Sequence, residues 1–215
     1  MAGLFVKDIR LIMQRKRVLL LFLALSVFIG YSQEGTFILG YLPMLMIIVM
    51  VGTISYDEYD NGCRFLMTLP IDSKIYVLEK YIFCIAGTII SGIVASLIYL
   101  VMQLLKGENI NFASEMPEMI IFPVVILLFV ALMLPLQIKF GAEKSHVTLL
   151  VFVGMVVTAG IIVKKIIGFE TFSKVLSWLN QLDEVFAVLL GIIIVLILLL
   201  VSYLVSYNVM KNKEY

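Results

Sequence analysis

Residues 185–207, VFAVLLGIIIVLILLLVSYLVSY, contain no charged side chain. A helix needs about 20 mostly apolar residues to cross about 30 Å of hydrocarbon, and this stretch is long enough. It therefore predicts a transmembrane helix, and five more candidates lie towards the N-terminus. The first of them is short, but apolar residues before and after it can extend it. The fold class that we expect is an all-α integral membrane protein with six transmembrane helices, forming a single transmembrane domain over residues 1–215. The predicted spans are Val18–Tyr31, Phe37–Ser55, Ile75–Leu105, Met119–Ile138, His146–Val163 and Val185–Tyr207.

The composition agrees with a membrane protein. Hydrophobic residues make up 62% of the chain and charged residues 14%, whereas a soluble domain carries about 25% charged residues. The formal net charge of +1 leaves no basic stripe for the phosphates of a nucleic acid, which excludes that class of partner. Pro43, Pro123 and Pro135 fall inside predicted spans, where neighbouring helices can bond the carbonyls that a proline leaves free.

The distribution of lysine and arginine predicts the orientation. Cytosolic segments hold an excess of these residues, and placing both termini in the cytosol leaves only Lys106, Lys164, Lys165 and Lys174 outside. An even number of spans, such as six, places both termini on the same side of the membrane. The predicted cytosolic residues are Lys7, Arg10, Arg15, Lys16, Arg17, Arg64, Lys74, Lys80, Lys139, Lys144, Lys211 and Lys213.

The first 17 residues predict an amphipathic helix at the inner membrane surface. Its apolar face comprises Leu4, Phe5, Ile9, Ile12 and Met13, and its polar face Lys7, Arg10, Gln14 and Arg17. Such a segment can lie flat at the headgroups before the chain enters the bilayer. The same charges would also serve simply as a positive flank that orients the first span.

Several kinds of site find no support in the sequence. The predicted helix centres lack Asp, Glu, Lys and Arg, which disfavours a proton- or sodium-driven carrier. A sodium site built from carbonyls and hydroxyls stays open. His146 is the one histidine, so no metal site or catalytic residues are expected. No glycine-rich phosphate loop is present, so the chain itself should neither bind nor hydrolyse ATP. We therefore expect no enzyme activity and no cofactor in this chain.

Small residues recur at helical spacing in the third span, at Gly87, Ser91 and Ala95. This pattern allows close approach of two helices. It fits either packing within the chain or a seam between two copies, and the sequence leaves both open. The outer loop, residues 164–184, carries Trp178 and other apolar residues, which suits anchoring at the outer membrane surface.

Two inner connections are charged. The first, from Ser55 to Pro70, carries Asp57, Glu58 and Asp60, but its spacing does not match a calcium loop because Tyr59 and Thr68 stand at two ligand positions. On a helix, Tyr59, Cys63 and Leu66 would face away from Asp57, Asp60 or Asn61, and Arg64, a pattern suited to docking a partner. Leu69-Pro70 would end this helix. The second connection, residues 139–145, is by physics alone an ordinary tight turn.

The stretch Tyr56–Tyr81, with Asp-Glu, Asn-Gly, Leu-Pro-Ile and Val-Leu-Glu-Lys-Tyr in order, resembles small ABC-2-type transporter permeases of Gram-positive bacteria. Pro135-Leu136, Lys139-Phe140-Gly141 and Glu143-Lys144 resemble their second signature, and the chain is similar to the permeases of phenol-soluble modulin exporters and related peptide exporters. The resemblance implies half a transporter, in which a cytosolic ABC ATPase subunit binds Mg-ATP and a second permease chain, identical or paralogous, completes the pore. It assigns coupling to the ATPase to a loop at residues 56–72, through Asp57, Glu58, Asp60, Asn61, Gly62, Leu69 and Pro70. It assigns a second partner-facing loop to Lys139, Gly141, Glu143 and Lys144.

The function expected from this resemblance is the permease subunit of an ATP-binding-cassette exporter in a bacterial plasma membrane. It would move amphipathic peptides or hydrophobic compounds out of the cell with ATP hydrolysed by the partner. The competing interpretation is a multi-spanning carrier, or an assembly or sensing protein, that works without an ATPase. An intramembrane enzyme would require an activity that depends on His146.

Overall fold

The computed structural model describes residues 2–32, 35–58, 72–107, 112–141 and 184–213, together with residues 62, 154 and 158. Six helices and no strand occur in this part of the chain, which confirms the all-α class. We number them in chain order: α1 Ala2–Gln14, α2 Lys16–Ser32, α3 Phe37–Glu58, α4 Ser73–Lys106, α5 Phe112–Phe140 and α6 Glu184–Lys211.

Four helices are long and apolar enough to cross a bilayer. They contain the candidate spans Phe37–Asp57, Ser73–Lys106, Glu115–Phe140 and Val188–Lys211, which match four of the six predictions. The predicted span Val18–Tyr31 lies within α2, whose 17 residues extend about 25 Å. The predicted span His146–Val163 falls outside the described residues apart from two positions. The total of six spans and the cytosolic termini therefore stay predictions.

The boundaries of the helices follow from local chemistry. A turn at Arg15 separates α1 from α2, with the Arg15 amide bonded to the Ile12 carbonyl at 2.9 Å. Helix α4 ends at Lys106, and the following Gly107 has a φ of 72°, a left-handed conformation that other residues adopt at a cost. Asp72 stands at the N-cap of α4 without a side-chain capping bond.

Helices α3 and α4 pack antiparallel, as do α4 and α5, whereas α6 runs parallel to α5, with Ser202 beside Ala131 and Lys213 beside Ile138. The end of α3 meets the start of α4 in one hydrophobic cluster that also takes in α5 and α6, with Ile54, Val77, Leu134 and Leu199 among its members. The start of α3 meets the end of α4 in a second cluster, which includes Ile38 and Tyr99. Large apolar side chains on the outside, such as Phe28 and Ile90, stay mostly exposed, as expected for a surface that lipid covers.

Close helix contact within the chain accounts for the small residues of α4. A methyl group on Gly87 would lie 2.0 Å from the Met50 sulfur of α3. Ser91 and Ala95 are buried further along the helix, and Ala95 belongs to the cluster with Ile38. The three positions thus face other parts of the same chain.

The carbonyl freed by Pro135 is bonded by another helix. Proline lacks an amide hydrogen, so the carbonyl four residues earlier, at Ala131, loses its helical partner. Ser202 of α6 donates its hydroxyl to that carbonyl, and its oxygen also contacts the Tyr81 hydroxyl of α4 at 2.5 Å. The expectation that neighbouring helices bond such carbonyls is confirmed at this position.

Candidate functional site

A group of charged and polar side chains, all buried except the partly exposed Lys7, joins three helices near the start of α4. We call it the ionic cluster. It comprises Lys7 and Asp8 of α1, Thr53 and Asp57 of α3, and Tyr76, Glu79 and Lys80 of α4.

Lys80 lies at the centre of the ionic cluster. Its side chain is 0% exposed, and its ammonium contacts three acceptors: the Asp8 carboxylate, the Asp57 carboxylate at 2.8 Å and the Thr53 hydroxyl at 3.3 Å. Thr53 in turn donates to the Met50 carbonyl at 2.8 Å. An ammonium has three N–H donors, so these contacts use all of them.

Lys7 closes a ring of alternating charge with the same two aspartates. It bonds Asp57 Oδ1 and lies 3.2 Å from Asp8 Oδ1, while Lys80 contacts the Oδ2 atom of each aspartate. The Lys7–Asp8 contact is electrostatic, because Asp8 Oδ1 accepts no hydrogen bond. The Tyr76 hydroxyl also donates to Asp57 Oδ2, at 3.0 Å. The two negative charges of Asp8 and Asp57 are thus compensated by the two positive charges of Lys7 and Lys80.

The spacing of residues on each helix explains how the ring forms. On α1, Leu4, Asp8 and Ile12 follow one another at intervals of four and form the buried stripe. On α4, Tyr76 and Lys80 have the same spacing and share a face. Asp57 is the penultimate residue of α3, so the end of α3 and the first two turns of α4 meet at α1.

Helix α1 packs on other helices along part of its surface. Leu4 and Ile12 are buried, whereas Ile9 and Met13 are 51% and 62% exposed, so the predicted placement of α1 at the membrane surface stays a prediction. Asp8, which the apolar pattern left out, is fully buried at the centre of the inner face. The reason is that Lys80 compensates the charge of Asp8, and this partner lies on another helix. The interval Leu4–Asp8–Ile12 is the signal that would have revealed an inward-facing acid.

The first predicted coupling residues fall partly within the described chain. Asp57 lies in α3 with its side chain 3% exposed, so its carboxylate faces the ionic cluster. Glu58 ends the helix, and a methyl group on Gly62 would lie 2.8 Å from the Asp57 carbonyl, so Gly62 approaches the end of α3 closely. Asp60, Asn61, Leu69 and Pro70 lie outside the described residues. Coupling to an ATPase stays a prediction for all seven.

The second predicted loop begins at the end of α5. Lys139 is exposed, and Gly141 has a φ of 69° and donates its amide to the Gln137 carbonyl at 2.9 Å, which ends the helix in a left-handed turn. Glu143 and Lys144 lie outside the described residues. A partner-facing role for this loop also stays a prediction.

Further contacts join the neighbouring helix ends to one another close to the ionic cluster. Gln137 of α5 donates to the Ser55 hydroxyl of α3 at 2.6 Å. The guanidinium of Arg15 lies 4.6 Å from the ring centre of Tyr56, a cation–π contact. Lys213, just past α6, donates to the Ile138 carbonyl at 3.0 Å. The ends of α3, α5 and α6 therefore meet on one side of the bundle.

The arrangement binds helices to one another and offers no ready site for a metal. Among the described residues, no group of three His, Cys, Asp or Glu side chains could hold a metal ion. The acids of the ring are already paired with lysines, which suits a structural joint.

Comparison with protein families gives a match over nearly the whole chain. The family model described as "ABC-2 family transporter protein" matches residues 3–211. No curated protein and no solved structure matches the chain significantly. The family match covers nearly the whole chain and includes every helix that carries the ionic cluster.

Proposed function

Because the chain belongs to the ABC-2 transporter family, we propose that it is the membrane-spanning permease subunit of an ATP-binding-cassette exporter. In this proposal a cytosolic ABC ATPase subunit binds and hydrolyses Mg-ATP, and a second permease chain, identical or paralogous, completes the pore. The complex lies in a bacterial plasma membrane. Its cargo is an amphipathic peptide or a hydrophobic compound, moved out of the cell.

The observation that carries the proposal is the position of the ionic cluster beside residues 59–71, which connect α3 to α4. Asp57 precedes this connection and Lys80 follows it, and the two are bonded at 2.8 Å. Both are also bonded to α1, through Lys7 and Asp8. Both ends of the connection are thus fixed by the ionic cluster. A force applied to the connection would therefore move α1, α3 and α4 together.

The stability of the buried ion pairs supports this coupling role of the ionic cluster. Removing one partner of a buried ion pair costs about 3–5 kcal/mol, because the remaining charge is left without compensation. The two helix ends should therefore move as a unit during a transport cycle. Movement of rigid helices against one another is a common way to pass a conformational change from one subunit to another.

An apolar cavity supports a cargo with a hydrophobic part. The cavity lies between α4, α5 and α6, has a volume of about 500 Å³, and is lined by Ile93, Pro123 and Leu196 among others. Binding sites for small molecules often have volumes of about 300–1,000 Å³. A second apolar cavity, about 920 Å³, lies between α2 and α4 and has Tyr31 and Lys106 in its lining.

Co-purification with the candidate ATPase tests the proposal. We expect a stable complex in lipid whose permease-dependent ATP hydrolysis falls in Asp60→Ala/Asn61→Ala, while Glu118→Gln behaves like wild type. Glu118 is an exposed acid on α5, far along the chain from the predicted coupling loop, and so serves as the control. A complex indifferent to the double substitution would move the contact elsewhere, for instance to Lys139–Lys144. Failure to form a complex with any ATPase would favour a protein that works without one.

A further inference from the structure

Glu79 is a buried acid without a hydrogen-bond partner among the described residues. Its side chain is 0% exposed, and neither carboxylate oxygen accepts a hydrogen bond. Phe83, one turn later on α4, packs edge-to-face on Phe5 of α1 with 6.1 Å between ring centres, so α1 covers this side of α4. A buried carboxylate without donors is unfavourable, and this penalty is relieved if the group is neutral.

Lys80 cannot satisfy Glu79 in this arrangement. The ammonium lies 4.0 Å from Glu79 Oε2, beyond hydrogen-bonding distance. Its three N–H donors are directed to Asp8, Asp57 and Thr53. Glu79 is therefore the neighbour that Lys80 leaves unbonded.

The balance of charge points the same way. The charged groups that face Glu79 are Lys7 and Asp8 of α1, Asp57 of α3 and Lys80 of its own helix. The four groups of the ring are neutral as a set, so an ionised Glu79 would add an uncompensated buried charge. A proton on Glu79 removes that charge without disturbing the ring.

We propose that Glu79 is a proton-binding site, and that its proton is linked to the ring. While Lys80 is bonded to both aspartates, the Glu79 carboxylate takes a proton from water and becomes a neutral carboxylic acid. When Lys80 loses one of those partners, Glu79 releases the proton to water and becomes the new counter-ion of Lys80. The proposal does not depend on an ATPase partner, so its test is independent of the test of the transport proposal.

Infrared spectroscopy of the full chain in lipid nanodiscs tests the first part. In mildly acidic buffer, where exposed carboxyl groups are ionised, we expect a carbonyl band from one neutral, buried carboxylic acid. The band should shift in heavy water, fade as the buffer is made alkaline, and be missing in Glu79→Gln. The control Glu118→Gln should retain it. Spectra of wild type and Glu79→Gln that superimpose in this region would overturn the proposal.

The folding of Glu79→Gln is itself informative. Glutamine has nearly the shape of the neutral acid, so this variant should fold with wild-type yield and thermal stability. If Glu79→Gln fails to fold while Glu79→Asp folds, the carboxylate form is required and the proposal is wrong.

Asp8→Asn tests the link to the ring while leaving Glu79 in place. This substitution removes one negative charge from the partners of Lys80, so the ring balances only if Glu79 is ionised. We expect the neutral-acid band to be lost in Asp8→Asn under conditions where wild type shows it. A band that persists unchanged would refute the exchange of partners at Lys80.

Discussion

Replacing Lys80 by methionine should destabilise the protein more than any other single change of a lysine. Methionine keeps the approximate length of the side chain and removes the charge. Asp8 and Asp57 then share only Lys7, and the contact at 2.8 Å to Asp57 and the contact to Thr53 are lost. Breaking a buried pair in this way costs about 3–5 kcal/mol, which is a large part of a typical total stability of about 5–15 kcal/mol.

The melting temperature converts this cost into a measurable shift. For a chain of this size each kcal/mol corresponds to about 2–4 °C, so we expect Lys80→Met to lower Tm by about 6–20 °C. Cys84, one turn beyond Lys80, is a buried thiol. Its reaction with a thiol-reactive fluorescent dye on heating reports unfolding in nanodiscs, in a Cys63→Ser background that leaves one reactive thiol.

Matched variants separate the ionic cluster from a general effect of lost charge. Lys74 lies on the same helix and is exposed, so Lys74→Met should change stability by less than about 0.5 kcal/mol. Adding Asp8→Asn to Lys80→Met leaves one lysine, Lys7, paired with one aspartate, Asp57. The double variant should therefore regain part of the stability that Lys80→Met loses. Equal melting temperatures for Lys80→Met and Lys74→Met would refute the reasoning.

Three further predictions concern helix contacts. Ser202→Ala should lower the free energy of unfolding by about 1–3 kcal/mol because the Ala131 carbonyl loses its donor. In a Pro135→Ala background the helix itself bonds that carbonyl, so thermal unfolding should show a smaller effect of Ser202→Ala. Equal effects in the two backgrounds would contradict the assignment. Gly87→Val should lower the free energy of unfolding by about 1–3 kcal/mol because the larger side chain crowds Met50. Gly52→Val, at a glycine with nothing within 4 Å, should be tolerated. If thermal unfolding shows Gly52→Val to be the less stable variant, the packing of α3 on α4 is contradicted. Gly141→Ala should lower stability by about 1 kcal/mol because of its positive φ, and a stabilised variant in the same assay would exclude that conformation.

The helices were predictable because length and apolarity alone decide whether a segment can cross a bilayer. Phe37–Glu58 and Glu184–Lys211 contain the predicted spans with a few residues added at their ends. The sequence also predicted that packing within the chain could explain Gly87, since small residues let helices approach closely.

The ionic cluster was not predictable from local patterns. Asp8 and Lys80 are 72 positions apart, and each looks like an ordinary surface charge in its own segment. Asp57 looked like part of an acidic loop because Glu58 and Asp60 adjoin it, yet α3 continues through it and turns it inward. Burial of a charge depends on its partner, and the partner is set by the packing of three helices.

Chemical cross-linking from Cys63 tests most directly whether residues 56–72 couple this permease to an ATPase. Cys63 lies within the predicted coupling loop, and Cys84, the other cysteine, is buried, so a photoactivatable thiol reagent should label the loop in the native chain. We predict that illumination of the complex in nanodiscs joins the permease to the ATPase subunit, and that Cys63→Ser abolishes the product. An active complex in which labelled Cys63 yields no cross-link to the ATPase would contradict the account.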